Sequence, residues 1–200
     1  MKRPNKLAPS KYTKLQRFRF YGYLLVTLFL IGCGGPEPRR PKEVKSGSYY
    51  EESIERNKEI LALEEKMMEE IIQKDSLHMY QHSASGSWYY YDFKNDEAGY
   101  LPQPDDLVTL VYNIVSFEND TIYSMEDIGV QKYKVDKQEL FPGLRNSVKL
   151  LKEGETATFL FPSSLGYGYP GDGDKIGINM PLKSTLSILK IEPSASQSNE

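Results

Sequence analysis

The chain has 200 residues, enough for one domain with extensions, in a globular composition that includes 15 tyrosines. Its formal charge of −3 hides an asymmetry: Lys2, Arg3, Lys6, Lys11, Lys14, Arg17 and Arg19 precede every acid, leaving 18 of the 25 basic residues against all 28 acidic ones. That acidic surplus speaks against a nucleic-acid partner, and a single cysteine rules out an internal disulfide.

Residues 1–32 read as an export signal: a basic start, then an apolar run from Phe20 to Ile31 that is too short to span a bilayer. The run closes on Leu30-Ile31-Gly32-Cys33, which resembles the lipobox of bacterial lipoproteins. Cys33 is therefore expected to be the first mature residue and to carry a lipid, holding the protein in the bacterial envelope and facing the periplasm. Residues 33–47, with Pro36, Pro38 and Pro41 among scattered charges, read as a solvated tether.

Residues 48–82 read as a helical spacer. Ser48 and Glu51 fit a capping box, and the helical pattern runs to about Tyr80. Ile60, Leu63, Met67 and Ile71 form a stripe that Leu61, Met68 and Ile72 widen, suited to docking on the body, to a partner or to a dimer. His78 and His82 are four apart near the helix end, but no acid follows the first, and the spacing alone makes no metal site.

From Ser83 to Pro193 the pattern is that of an α+β domain. Trp88–Phe93 is aromatic enough for a strand. Leu107–Phe117 reads as one long strand with Val108, Leu110, Tyr112 and Ile114 on one face. Thr121–Ser124 and Tyr133–Val135 follow as short strands. Pro142 suits a first helical position, Leu144, Val148 and Leu151 share a helix face, and Gly154 suits a left-handed stop. Glu155–Phe161 alternates, with Ala157, Phe159 and Phe161 on one side, and Ser184–Glu192 is the last strand. The implied fold is a curved, mostly antiparallel sheet on a short helix, preceded by the N-terminal helix. Residues 194–200 are small and polar and read as a disordered tail.

Few kinds of chemistry fit. Ser163-Ser164 has no histidine in the domain and no nucleophile-elbow motif. Gly166-Tyr167-Gly168-Tyr169-Pro170-Gly171 matches a dinucleotide fingerprint literally, but a proline interrupts it and a loop follows where a helix should open. Asp172 and Asp174 lack the other ligands of a calcium loop. No metal and no cofactor is expected.

The order of motifs is more telling. Tyr112 on its strand is followed by Ile122-Tyr123-Ser124, Leu140-Phe141-Pro142-Gly143-Leu144 and Leu151-Lys152-Glu153-Gly154-Glu155. Gly166-Tyr167-Gly168 and Pro181-Leu182-Lys183-Ser184-Thr185-Leu186 complete the series. In this order the segment from Leu107 to Ile191 resembles the FKBP-type peptidyl-prolyl cis-trans isomerases. The resemblance implies an enzyme acting on proline-containing proteins. Tyr112, Tyr123, Phe141 and Tyr167 would be its catalytic residues, with the Phe141 amide and the Tyr167 hydroxyl donating to substrate carbonyls. Leu140, Leu144, Met180 and Ile188 would line the proline pocket with Ser124 beside it. Leu144 stands where the family has tryptophan, and Ser124 where it has aspartate. Loss of that charge predicts a weaker enzyme that Ser124→Asp would improve.

Overall fold

The computed structural model describes residues 46–97 and 99–194, with side chains from residue 50 onward. The export signal, Cys33, nearly all of the tether and all but the first residue of the tail lie outside the described residues.

Helix α1 (Ser46–Lys74) begins two residues before Ser48, which is thus inside the helix and not its cap. It also ends earlier than the pattern implied, so His78 and His82 are not a helical pair. His78 Nδ1 lies 2.8 Å from Asp75 Oδ2 and its ring stacks on Tyr90, while His82 sits in strand β1 (Gln81–His82) against Trp88. Residues Gly47–Glu200 form one compact unit, so the helix belongs with the sheet that follows. Its docked face is rotated by about one residue from the expected stripe. Glu64 and Met68 are buried, whereas Leu63 is 64% exposed and Met67 38%. An acid on the buried face is what the hydrophobic pattern could not foresee, and the reason for it is a specific hydrogen bond described below.

The sheet runs in the order β1, β2 (Trp88–Phe93), β7 (Thr156–Phe161), β8 (Leu182–Glu192), β3 (Leu107–Tyr112), β6 (Gln131–Lys134). All of these pairs are antiparallel, as are those of β4 (Ile114–Ser116) with β8 and with β5 (Thr121–Tyr123). The α+β fold read from the sequence is therefore the fold observed, an antiparallel sheet with short helices between strands.

The expected long strand from Leu107 is broken at Asn113. Its side-chain Oδ1 takes the Thr185 N–H at 2.7 Å, and its own carbonyl takes the Ser184 hydroxyl at 2.6 Å. Register with β8 is kept across the break, from Tyr112 opposite Leu186 to Val115 opposite Lys183. A side chain thus replaces one rung of the backbone ladder, and the strand continues as β4.

Helix α3 (Pro142–Val148) starts on Pro142 as expected but stops six residues before Gly154. Gly154 has a left-handed φ of 81° and serves a later turn, donating its N–H to Ile188 O. Leu144, Val148 and Leu151 are fully buried against Val108, Leu110, Phe159, Phe161, Leu186 and Ile188. Each such side chain contributes about 1.5–3 kcal/mol by leaving water. The two alternations read from the sequence therefore share one core with the helix. A four-residue helix α2 (Met125–Ile128) between β5 and β6 had no signal in the periodicity.

Candidate functional site

The turn before α3, strand β3 and the segment after β7 meet around a cavity of about 460 Å³ bordered by Tyr112, Glu139, Leu140, Phe141, Pro142, Arg145, Gly166 and Tyr167. Each wall has a local cause. Tyr112 is the last residue of β3 and so stands at the sheet's end. Phe141 caps α3 with extended backbone and Pro142 takes the first helical position, where a missing N–H costs nothing. Gly143 lets the helix start lie directly on β7: a methyl group there would come within 2.5 Å of the Phe161 ring and 2.9 Å of Leu165 O. After β7, a 3₁₀ turn (Ser163–Leu165) swings the chain so that Tyr167 faces Phe141, their ring centroids 5.4 Å apart. Phe141 also meets Tyr112 and Phe161 edge to face at 6.5 and 5.5 Å. Such geometry is favourable for aromatic quadrupoles.

Three polar groups on residues bordering the cavity are left without partners. The Phe141 N–H donates to no acceptor among the described residues, and the hydroxyls of Tyr112 and Tyr167 likewise have no partner there. Burial, and then Tyr167, raise the Tyr112 hydroxyl above the ordinary tyrosine pKa; burial, and then Asp172, do the same for Tyr167. Both phenols therefore stay protonated near neutral pH and act as donors, not bases.

Of the residues singled out by resemblance, Tyr112, Leu140, Phe141 and Tyr167 border the cavity together. The others are not among the residues that border it. Leu144 and Ile188 are at most 1% exposed and belong to the same buried cluster as Phe141 and Phe161. Met180 and Tyr123 pack against the core's edge. Ser124 caps α2: its hydroxyl accepts the Asp127 N–H and its N–H donates to the Asp127 carboxylate. The Ser124 N–H, first, and the Ser124 hydroxyl, which also donates to Asp127 Oδ2 at 2.9 Å, lower the Asp127 pKa.

A carboxylate from the loop after Gly171 reaches Tyr123, the residue before Ser124. Asp172 Oδ2 accepts the Tyr123 hydroxyl at 2.6 Å, and its Oδ1 accepts the N–H groups of Asp174 and Ile176. This hydrogen bond is the main reason that the Tyr123 pKa is raised to about 12. Glu139 and Arg145 at the cavity rim had no sequence signal beyond flanking the helix start. Among the described residues no cluster of His, Cys, Asp and Glu could hold a metal ion.

The comparisons with known proteins agree with this fold. Residues 99–189 match the family model of the FKBP-type peptidyl-prolyl cis-trans isomerases. A curated relative, the probable FKBP-type peptidyl-prolyl cis-trans isomerase FkpA of Neisseria meningitidis, is 34% identical over 101 residues, covering 50% of this chain and 37% of its own length. The chain thus spans well under half of that relative. FkpA from Escherichia coli superposes with a TM-score of 0.55 at 17% identity, over 92% of this chain and 75% of that one. A peptidyl-prolyl cis-trans isomerase of Pseudomonas syringae superposes at 0.51 and 19% identity, over 68% and 96%. The domain is of the FKBP-like α+β class.

Proposed function

We propose that the protein catalyses cis-trans isomerisation of prolyl peptide bonds in exported proteins. The observation that carries this reading is the aromatic cavity of Tyr112, Phe141 and Tyr167, where the Phe141 N–H and two phenols are free to donate and no Ser, Thr, Cys, Lys or His is among the bordering residues. Turning an amide costs about 18–20 kcal/mol because resonance is lost. The twisted amide is less charge-separated than the planar one. Apolar walls therefore favour it over the ground state, which is differential binding of the transition state. The Phe141 amide and the Tyr167 hydroxyl hold the flanking carbonyls, fixing the reactive conformer. No proton needs to move. The test is an isomerase assay on residues 34–200 with a short prolyl peptide and, separately, a refolding protein limited by proline. Catalysis of either supports the reading; suppression of aggregation without catalysis of either overturns it in favour of a chaperone.

The same proposal extends to the envelope. Leu30-Ile31-Gly32-Cys33 supports lipid attachment at Cys33 and a periplasm-facing protein. The succession of lipobox, helical spacer and isomerase domain resembles the gliding-motility-associated isomerase lipoprotein GldI of Bacteroidetes, and motility components are then candidate clients. No helix among the described residues is long and apolar enough to cross a membrane. Cys33→Ser should lose acyl label and move to the soluble fraction; normal cleavage and retention with membranes would sink the anchor.

A second reading, a binding module or structural subunit on the same fold, is favoured by the exposed Ile54, Leu63 and Met67 of α1. A pull-down with and without residues 48–82 separates it from the first.

A further inference from the structure

A second groove, of about 440 Å³, lies between α1 and the same segment that carries Tyr167. Ile54, Ile60 and Leu61 border it from the helix, and Ser164, Tyr169 and Asn179 from the domain. Ile54, Leu61 and Tyr169 are 54%, 38% and 72% exposed, so the apolar border is open to a ligand. Glu64 also borders the groove and is only 4% exposed.

One half of this carboxylate is accounted for. Oε2 accepts the Ser163 N–H at 2.9 Å, which is why an acid occupies the docked face of the helix. The other half is not: Oε1 is buried and accepts no hydrogen bond from any described residue. A buried carboxylate served on one side only is costly, and the cost disappears when a cation or strong donor reaches the free oxygen. No side chain at hand does so. The one cation bordering the groove among the described residues is Lys58, which pairs instead with Glu55 on the helix surface at 3.7 Å. The remaining polar side chains on its border, those of Asn57, Ser163, Ser164, Tyr169 and Asn179, supply no cation. A bare metal ion would need several oxygen ligands, and a single acid does not supply them.

We propose that this groove binds a polypeptide segment in which a lysine or arginine is flanked by apolar residues. The cationic head meets Glu64 Oε1, and the flanking side chains cover Ile54, Leu61 and the Tyr169 ring. That the segment comes from an unfolded client rests on the isomerase reading; the existence of the groove does not. Ser163, Gly168 and Tyr169 border this groove while Gly166 and Tyr167 border the aromatic cavity, so a short stretch of chain separates the two. A client with a proline and a basic-apolar segment can therefore hold both sites, the second contact raising the effective concentration of the first.

The test uses the full chain and two fluorescent peptides without proline, Leu-Lys-Leu and its norleucine counterpart, read by anisotropy. The lysine peptide should bind about tenfold tighter or more, the worth of one close charge pair. Glu64→Gln should erase that preference and leave turnover of a short prolyl peptide unchanged. Leu61→Lys, a surface change that does not disturb the Glu64–Ser163 bond, should weaken the lysine peptide selectively and keeps the question answerable if Glu64→Gln fails to fold. Equal binding of the two peptides by the unaltered protein, or a preference that survives either substitution in a folded protein, overturns the proposal. Loss of prolyl turnover with the lysine preference intact would count against the isomerase alone.

Discussion

The two cavities are nearly equal in volume, about 460 and 440 Å³, yet they are built for opposite tasks. The first is walled by Tyr112, Phe141 and Tyr167, whose phenols are held neutral, with its charges, Glu139 and Arg145, both on exposed side chains. The second places a buried carboxylate, half of it unserved, among aliphatic side chains. Twisting an amide needs shape and low polarity, which aromatic walls provide without titrating. Recognising a cation needs a charge withheld from water, which only a buried acid provides. Similar size therefore says little about what a cavity does; the chemistry of its polar atoms decides.

The sharpest way to break the contrast is to empty one cavity's wall. Phe141→Ala removes a ring that is 7% exposed and touches Tyr112, Phe161 and Tyr167. Urea unfolding should show a loss of about 3–5 kcal/mol, the usual cost of deleting a buried phenylalanine. Turnover should fall through the lost wall and not the lost donor, since the Phe141 N–H is backbone and survives. Undiminished stability would mean that the ring is not part of the packed core.

Met68→Ala acts on the other side. The side chain is 1% exposed where α1 docks, so its loss should cost about 2–5 kcal/mol by leaving a cavity. Limited proteolysis should then cut α1 first. Prolyl turnover per folded molecule should hold, because every residue bordering the aromatic cavity follows Tyr112 in sequence. A drop in kcat/KM in a folded protein would show that the helix shapes that cavity too.

Tyr167→Phe sharpens the contrast within the aromatic site. Its hydroxyl has no partner among the described residues, so stability should barely change. Transition-state stabilisation should fall by about 0.5–1.5 kcal/mol, the worth of one neutral hydrogen bond, read as kcat/KM. Unchanged turnover would remove the hydroxyl from the mechanism.

The smallest effects concern Tyr123 and its neighbours. The hydrogen bond to Asp172, ahead of burial, raises the Tyr123 pKa to about 12. A raised folded value means that the contribution to stability is complete below the unfolded pKa of about 10 and is lost as pH rises through the folded one. The phenolate absorbance lost in Tyr123→Phe should therefore appear only near pH 12, and in Asp172→Asn at lower pH. Ser124→Asp should not raise turnover, contrary to the expectation from family resemblance. An aspartate there would face the Asp127 carboxylate that now accepts from the Ser124 hydroxyl, and like charges would weaken the cap. A clear gain in kcat/KM would restore the view that the charge at this position limits the rate.

Much of the domain was legible one segment at a time. The alternation in Ala157, Phe159 and Phe161, the face shared by Val108, Leu110 and Tyr112, and the start of α3 at Pro142 all appear as read. Periodicity and proline geometry are local, and the chain within a few residues enforces them. The sequence also yielded the order of motifs from Tyr112 to Leu186, and residues 99–189 match the family model that this order resembles. Tertiary structure alone decided which atoms meet across long separations. Asn113 breaks its strand because Thr185, far along the chain, offers an N–H to its side chain. Tyr123 finds its carboxylate at Asp172, not at the adjacent residue, because the loop carrying Asp172 meets the end of β5 there. The docked face of α1 carries Glu64 because the Ser163 N–H, 99 positions later, needs an acceptor at that point. A buried polar group must be paired, and the partner is chosen by where the backbone arrives, which no window of sequence contains.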